Sequence, residues 1–156
     1  MVSPLNISDA VFTTQWACHL AEKLQTVAIV LSDQSLGQSR VIIDKPEIHS
    51  DLLAKRLTSN KEIDEYHRYE LTENGVSPMS IPGTEGHQYT ADGLEHNPEG
   101  TPSSMAIDHL SQMQKRQDKI EKFNYQINNQ DYWAHIDTDK KSDNINICLI
   151  TWGSAS

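Results

Sequence analysis

Residues 75–102 read GVSPMSIPGTEGHQYTADGLEHNPEGTP and hold five of the seven glycines and four of the six prolines of the chain. Glycine serves where the backbone takes positive φ or another group comes close, and proline where φ must be fixed. Such punctuation over this length excludes a helix or a long strand. Long loops in compact domains are functional or disordered. The apolar anchors Met79, Ile81, Tyr89 and Leu94 argue for an ordered loop shaped to meet a second domain, a subunit or an active-site mouth.

Upstream, the i, i+4 stripe Phe12, Trp16, Leu20 and Leu24, with Ala17 and Ala21 beside it, predicts a helix to about Gln25, capped by Ser8 or Asp9. The run Val27–Leu31 suits a strand covered on both faces, as in a parallel sheet. The strand preceding this helix would have to lie before residue 5, and it is expected to be missing. Val41–Ile43 is a second β-branched stretch. Residues 47–73 are charged and weakly periodic, fitting a short surface helix and an irregular arm. Downstream, a helix is expected over about 103–123, capped by Ser103 or Ser104. Ala106, Leu110, Met113 and Ile120 share one face of it, and its charged side reads as solvated. Residues 128–143 are polar and turn-rich. The apolar run Ile145–Trp152, followed by Gly153-Ser154-Ala155-Ser156, reads as a strand entering a new α/β domain.

The totals bound the partners. The chain has 156 residues, 37% of them hydrophobic, a net charge of −9 and a mean hydropathy of −0.59. The negative charge disfavours nonspecific binding to nucleic acid or an anionic membrane. The N-terminus lacks the basic and apolar regions of a signal peptide, and no apolar run approaches the roughly 20 residues of a membrane-spanning helix. Cys18 and Cys148 sit alone in apolar contexts and are expected to be buried thiols of a cytoplasmic protein.

Candidate chemistry is thin. His87, Glu95, His96 and His109 lack a recognised metal-ligand spacing. Glu95-His96 could form an acid/base pair, but adjacent residues in a glycine-bounded loop more often hold the loop or an interface. Gly83-Thr84-Glu85-Gly86 follows no strand, opens no helix and lacks the lysine of a phosphate loop.

Three stretches go further: LNISDAVFTTQWACHLAEKLQTVAIVLSDQSLGQSR, RYELTENGVSPMSIPGTEGHQYTADGLEHNPEGTPSSMAIDHLSQMQKRQDKI and ICLITWGS. Together they resemble the alpha subunits of 2-oxoacid:ferredoxin oxidoreductases, above all the 2-oxoglutarate type. Val27 departs from the family's proline, and residues 47–66 match poorly.

The resemblance implies an internal fragment of an α/β protein. Residues 1–45 would end a thiamine-pyrimidine-binding, Rossmann-like domain with a parallel sheet. Residues 46–143 would form a connecting region, with the loop 75–102 and the helix about 103–123. Residues 144–156 would begin a transketolase-C-terminal-like domain. The implied reaction is CoA-acylating oxidative decarboxylation of a 2-oxoacid with ferredoxin as acceptor. Thiamine diphosphate, Mg2+ and a [4Fe–4S] cluster would reside mainly in a beta subunit, and none in this fragment, which would be inactive alone. The family's YPITP-type motif, its carboxylate-recognising arginine segment and its acidic residue facing the aminopyrimidine have no match, so no catalytic, cofactor-binding or metal-binding residue is assigned. Gly83, Thr84, Gly86, Tyr89, Gly93, Glu95, His96 and Gly100 are assigned loop-shaping or interface roles. The alternative is a non-catalytic acidic module that docks a partner through loop 75–102.

Overall fold

A computed structural model describes residues 1–59, 65–124, 126–127, 130–131 and 149–153. They divide into two compact units, one of 1–21, 26–54 and 124–156, the other of 22–25 and 55–123.

In the first unit, helix α1 (Ala10–Leu24) follows the predicted stripe. Trp16 and Ala17 are buried, and Thr13 and His19 join them. The Trp16 and His19 rings stack at 5.3 Å. Asp9 closes the N-terminus: its carboxylate accepts from Leu5 N at 2.9 Å and Thr13 Oγ1 at 3.0 Å. The chain leaves α1 through Gln25 at φ +47, with Thr26 N donating to Ala21 O at 3.3 Å. This six-to-one closure needs a left-handed residue, and a non-glycine one is unusual there. Gln15 holds residues 47–49 against the helix, donating to Glu47 O and accepting from His49 N, each at 3.0 Å. Cys18 falls on the outward side of α1, away from Trp16 and Ala17, and is exposed rather than buried; Cys148 lies outside the described residues.

Among the described residues the expected sheet is barely formed. Val2 and Val30 make one parallel bridge, through Val2 N to Ile29 O at 2.9 Å and Leu31 N to Val2 O at 2.8 Å. Bridge, α1, bridge is a β–α–β order, so a stub of the preceding strand is present at Val2. The run itself is not sandwiched, with Val27 82% exposed. Val41–Ile43 forms no strand, and Ile42 is fully exposed. A buried parallel strand needs neighbours on both edges and cover on both faces; one bridge provides neither. Between the runs stands a short helix, α2 (Gln34–Gln38), capped by Asp33, whose carboxylate accepts from Leu36 N at 2.8 Å. A 3-10 turn, Ser50–Leu52, is the short surface helix expected after residue 47, and it buries Leu52. Strands β1 (Gln126–Ile127) and β2 (Gln130–Asp131) pair antiparallel, Gln126 opposite Asp131. Most of the polar segment 128–143 and of the run expected to start a new domain, Ile145–Trp152, lies outside the described residues. Leu149–Trp152 is exposed and not in a strand.

The second unit is the long loop packed on helix α3 (Ala106–Glu121). Loop 75–102 contains no helix and no strand beyond isolated bridges. The N-cap of α3 is Met105, not Ser103 or Ser104, and makes no side-chain cap bond. Ser103 instead accepts from Met105 N at 3.2 Å and donates to Asp108. The face of α3 expected to be buried is not: Ala106, Leu110, Met113 and Ile120 are exposed, while Gln112 is buried. Among the described residues no helix is long and apolar enough to cross a membrane.

Candidate functional site

The second unit gathers three tyrosine and two histidine rings from two nearby stretches. Tyr66 and Tyr69 come from the arm before the loop, and His87, Tyr89 and His96 from the loop itself. Tyr66 stacks on His87 at 4.5 Å and 9°, and Tyr69 on His96 at 4.2 Å and 3°. Tyr89 stands between the two stacks, 6.3 Å from Tyr66 and 6.2 Å from Tyr69. Arg68 lies 6.0 Å from the centroids of both Tyr69 and Tyr89, at the outer limit of cation–π contact. Histidines His87 and His96 are 5% and 2% exposed. Neither ring nitrogen of His87 has a hydrogen-bond partner among the described residues. His96 Nε2 lies 3.3 Å from Asp92 Oδ1, without hydrogen-bond alignment. Burial among rings raises the Tyr69 phenol above its ordinary range, against the pull of Arg68.

The loop is tied to α3 by polar contacts. Gln112 Nε2 donates to Tyr69 O at 2.9 Å. Glu95 takes a fork from Arg116, at 2.6 and 3.0 Å, and lies 3.3 Å from His109 Nδ1. The turn 97–101 then closes on itself through Gly100 N to Asn97 O at 3.1 Å and Asn97 N to Thr101 O at 3.0 Å.

The Arg116 hydrogen bonds hold the Glu95 carboxyl below the usual carboxylate range, against the effect of burial. A carboxylate with a depressed folded-state pKa stabilises the fold above its unfolded pKa, and that contribution disappears as pH falls through the folded one. Glu95→Gln is therefore expected to lower stability near neutral pH, by about 1 kcal/mol given the exposed arginine. The gap to wild type should close in acid. Urea midpoints of both proteins between pH 7 and pH 3 check this; a constant gap would mean the ion pair is not its source.

A second polar group sits where the loop begins. Lys115 Nζ donates to Ser77 Oγ, and Ser77 Oγ donates to Glu70 O at 2.8 Å. Arg68 reaches Ser77 O at 3.4 Å and Gln25 Oε1 at 3.1 Å. Burial, then the neighbouring Lys119 and Arg68, pulls the Lys115 ammonium down to about 8. Lys119 moves the same way, by burial and the charges of Arg68 and Arg116. A lysine held below its ordinary value burdens the fold while charged, because the unfolded chain binds the proton more tightly. Stability should therefore rise between pH 8 and the ordinary lysine value of 10.5. Lys115→Gln should flatten that rise, and denaturation midpoints against pH check it.

The residues assigned from sequence separate into two sets. Tyr89, Glu95, His96 and Gly100 come together around Tyr69 and α3, with Gly100 (φ +93) 3.6 Å from Tyr89 Cβ where its own Cβ would be. Gly83 and Gly86 take positive φ but face open space, and Gly93 faces open space without positive φ. Thr84 bridges the turn, donating to Ile81 O at 3.0 Å and accepting from His87 N at 3.4 Å. Tyr66, Arg68, Tyr69, Gln112 and Lys115 were missed; the only signal was the Tyr66–Tyr69 spacing in a charged segment. Among the described residues no group of three or more His, Cys, Asp or Glu could hold a metal. Stacked rings and a carboxylate held by an arginine fork make this a packing arrangement that fixes the loop on α3.

No family model matches the chain. It is 34% identical over 142 residues to subunit alpha of 2-oxoacid:ferredoxin oxidoreductase 1 from Sulfurisphaera tokodaii, covering 89% of this chain and 22% of that protein. To the corresponding subunit from Saccharolobus solfataricus it is 31% identical over 143 residues, again 89% of this chain and 22% of the relative. The solved 2-oxoglutarate:ferredoxin oxidoreductase from Magnetococcus marinus, with 2-oxoglutarate, coenzyme A and succinyl-CoA bound, matches with a TM-score of 0.68 and 36% identity. That match covers 79% of this chain and 22% of the solved one. The chain thus spans about a fifth of the length of the curated relatives it matches. By sequence it is homologous to one segment of the alpha subunits of 2-oxoacid:ferredoxin oxidoreductases, and by fold it matches one segment of the solved 2-oxoglutarate:ferredoxin oxidoreductase.

Proposed function

We propose that the chain works as part of the alpha subunit of a CoA-acylating 2-oxoacid:ferredoxin oxidoreductase, with 2-oxoglutarate as its substrate. The observation that carries this reading is agreement between two comparisons: alpha subunits match 89% of the chain, and the enzyme of like fold acts on 2-oxoglutarate. In this reading residues 1–45 close a pyrimidine-binding domain, 46–143 connect, and 144–156 open a transketolase-C-terminal-like domain. Thiamine diphosphate, Mg2+ and a [4Fe–4S] cluster belong to a beta subunit, which transfers electrons to ferredoxin. The chain's own contribution is structural. Tyr89, Glu95, His96 and Gly100 hold the loop in one shape on α3, so that its rim of Gly83, Thr84, Gly86 and Gly93 can meet a neighbouring subunit or domain. A rigid loop loses little conformational freedom on docking, which favours assembly.

Anaerobic affinity purification of the tagged chain from its own cells tests this. The reading expects a second subunit to co-purify, with thiamine diphosphate and iron in the captured complex. A chain recovered alone, or with a partner free of both, would support the non-catalytic docking module instead.

A further inference from the structure

We infer that Arg68, Lys115 and Lys119 form a receptor for one oxyanion, of the carboxylate or phosphate type, beside the turn Gly75–Ser77. This goes beyond the enzyme reading and does not depend on it. Two of the cations hold one short segment, and the third stands one turn along the same helix, with its backbone against it. Arg68 and Lys115 both bond to Ser77, on its carbonyl and its hydroxyl, and the Lys119 backbone lies against Gly75, 3.0 Å from where a Cβ would be. All three side chains are partly buried. The hydrogen-bond acceptors of Arg68 and Lys115 are neutral: a serine hydroxyl, a backbone carbonyl and a glutamine amide oxygen. No carboxylate stands within ion-pair distance of any of them among the described residues, whereas Arg56, Arg116 and Lys122 each have one.

Partly buried charges are ordinarily paired, since desolvation without a counter-ion is unfavourable. Three such cations beside one turn, offset at Lys115 by the exposed Glu70, leave a concentrated positive potential. A planar or tetrahedral oxyanion could take a fork from Arg68 and point-charge bonds from the two ammoniums. The positive charge is local in a chain of net charge −9, which makes a small or localised anion a better fit than a polyanion.

The test is a 15N-amide NMR titration of the 156-residue chain with sodium phosphate and, separately, sodium acetate, at constant ionic strength held with chloride. Saturable shifts confined to residues 75–77 and to Lys115 and Lys119 are expected, and Lys119→Gln should weaken the binding on the order of tenfold. Among the described residues the Lys119 side chain makes no hydrogen bond or ion pair, so this variant should leave the fold intact; an unchanged spectrum elsewhere verifies that. Phosphate binding at least several-fold tighter than acetate would assign a phosphate group to the site. Comparable binding would assign a carboxylate, such as one from a docked chain. Shifts no larger than those from chloride, or binding unaltered in Lys119→Gln, would overturn the inference.

Discussion

Gly75→Ala is expected to destabilise the second unit by roughly 2–4 kcal/mol, more than any other single methyl added to the loop. Gly75 has φ +72, and a Cβ there would stand 2.6 Å from the Lys115 carbonyl oxygen and 3.0 Å from the Lys119 amide nitrogen. Those are backbone atoms of α3, so the helix cannot yield by a rotamer change. Gly83 separates the two components, because at φ +88 it has nothing within 4 Å. Gly83→Ala should show the conformational penalty alone, on the order of 1 kcal/mol. Gly93, with neither feature, should tolerate alanine nearly silently. Urea unfolding followed by circular dichroism ranks the three. A Gly75→Ala protein no weaker than Gly83→Ala would mean that the loop does not lie on α3 as described.

Tyr69→Ala should be comparably damaging. Its ring stacks on His96, meets Tyr89 edge-on and approaches Gly100, while its backbone carbonyl receives Gln112. Truncating a large core aromatic destabilises by about 3–5 kcal/mol, and partial exposure of Tyr69 reduces this to roughly 2–4. The cavity also leaves His96, 2% exposed, without its stacking surface. Tyr69→Phe removes only the hydroxyl contact to Thr90 O at 3.3 Å and should change stability by under about 1 kcal/mol. Denaturation midpoints of the two variants check the contrast. A Phe variant as weak as the Ala variant would place the stabilisation in the hydroxyl rather than in the ring stack.

The sequence made some of this legible and hid the rest for identifiable reasons. The α1 stripe from Phe12 to Leu24 and the glycine and proline density of 75–102 both act locally, so helix and loop could be read without tertiary knowledge. The buried side of α3 could not. Gln112 is buried because it meets a backbone carbonyl from 43 residues earlier, and Lys115 is half-buried where Ser77 accepts from it; polarity alone assigns both to solvent. The stripe Ala106, Leu110, Met113 and Ile120 looks like a core face and is exposed. Val27–Leu31 and Val41–Ile43 have strand composition, but strands exist only as paired edges, and the described residues give them one parallel bridge at Val30. Tyr66 and Tyr69 were overlooked because ring stacking with His87 and His96 leaves no periodic trace in a charged segment. At the candidate site, Glu95 and His96 were visible as a pair, yet they act apart: Glu95 binds Arg116, and His96 lies under Tyr69.

The central claim, that this chain serves a 2-oxoacid:ferredoxin oxidoreductase, is tested most directly by viologen reduction in the anaerobically captured complex. Reduction should require both a 2-oxoacid and coenzyme A, proceed faster with 2-oxoglutarate than with pyruvate, and yield the acyl-CoA. A complex of intact composition that reduces no viologen with any 2-oxoacid would contradict the account.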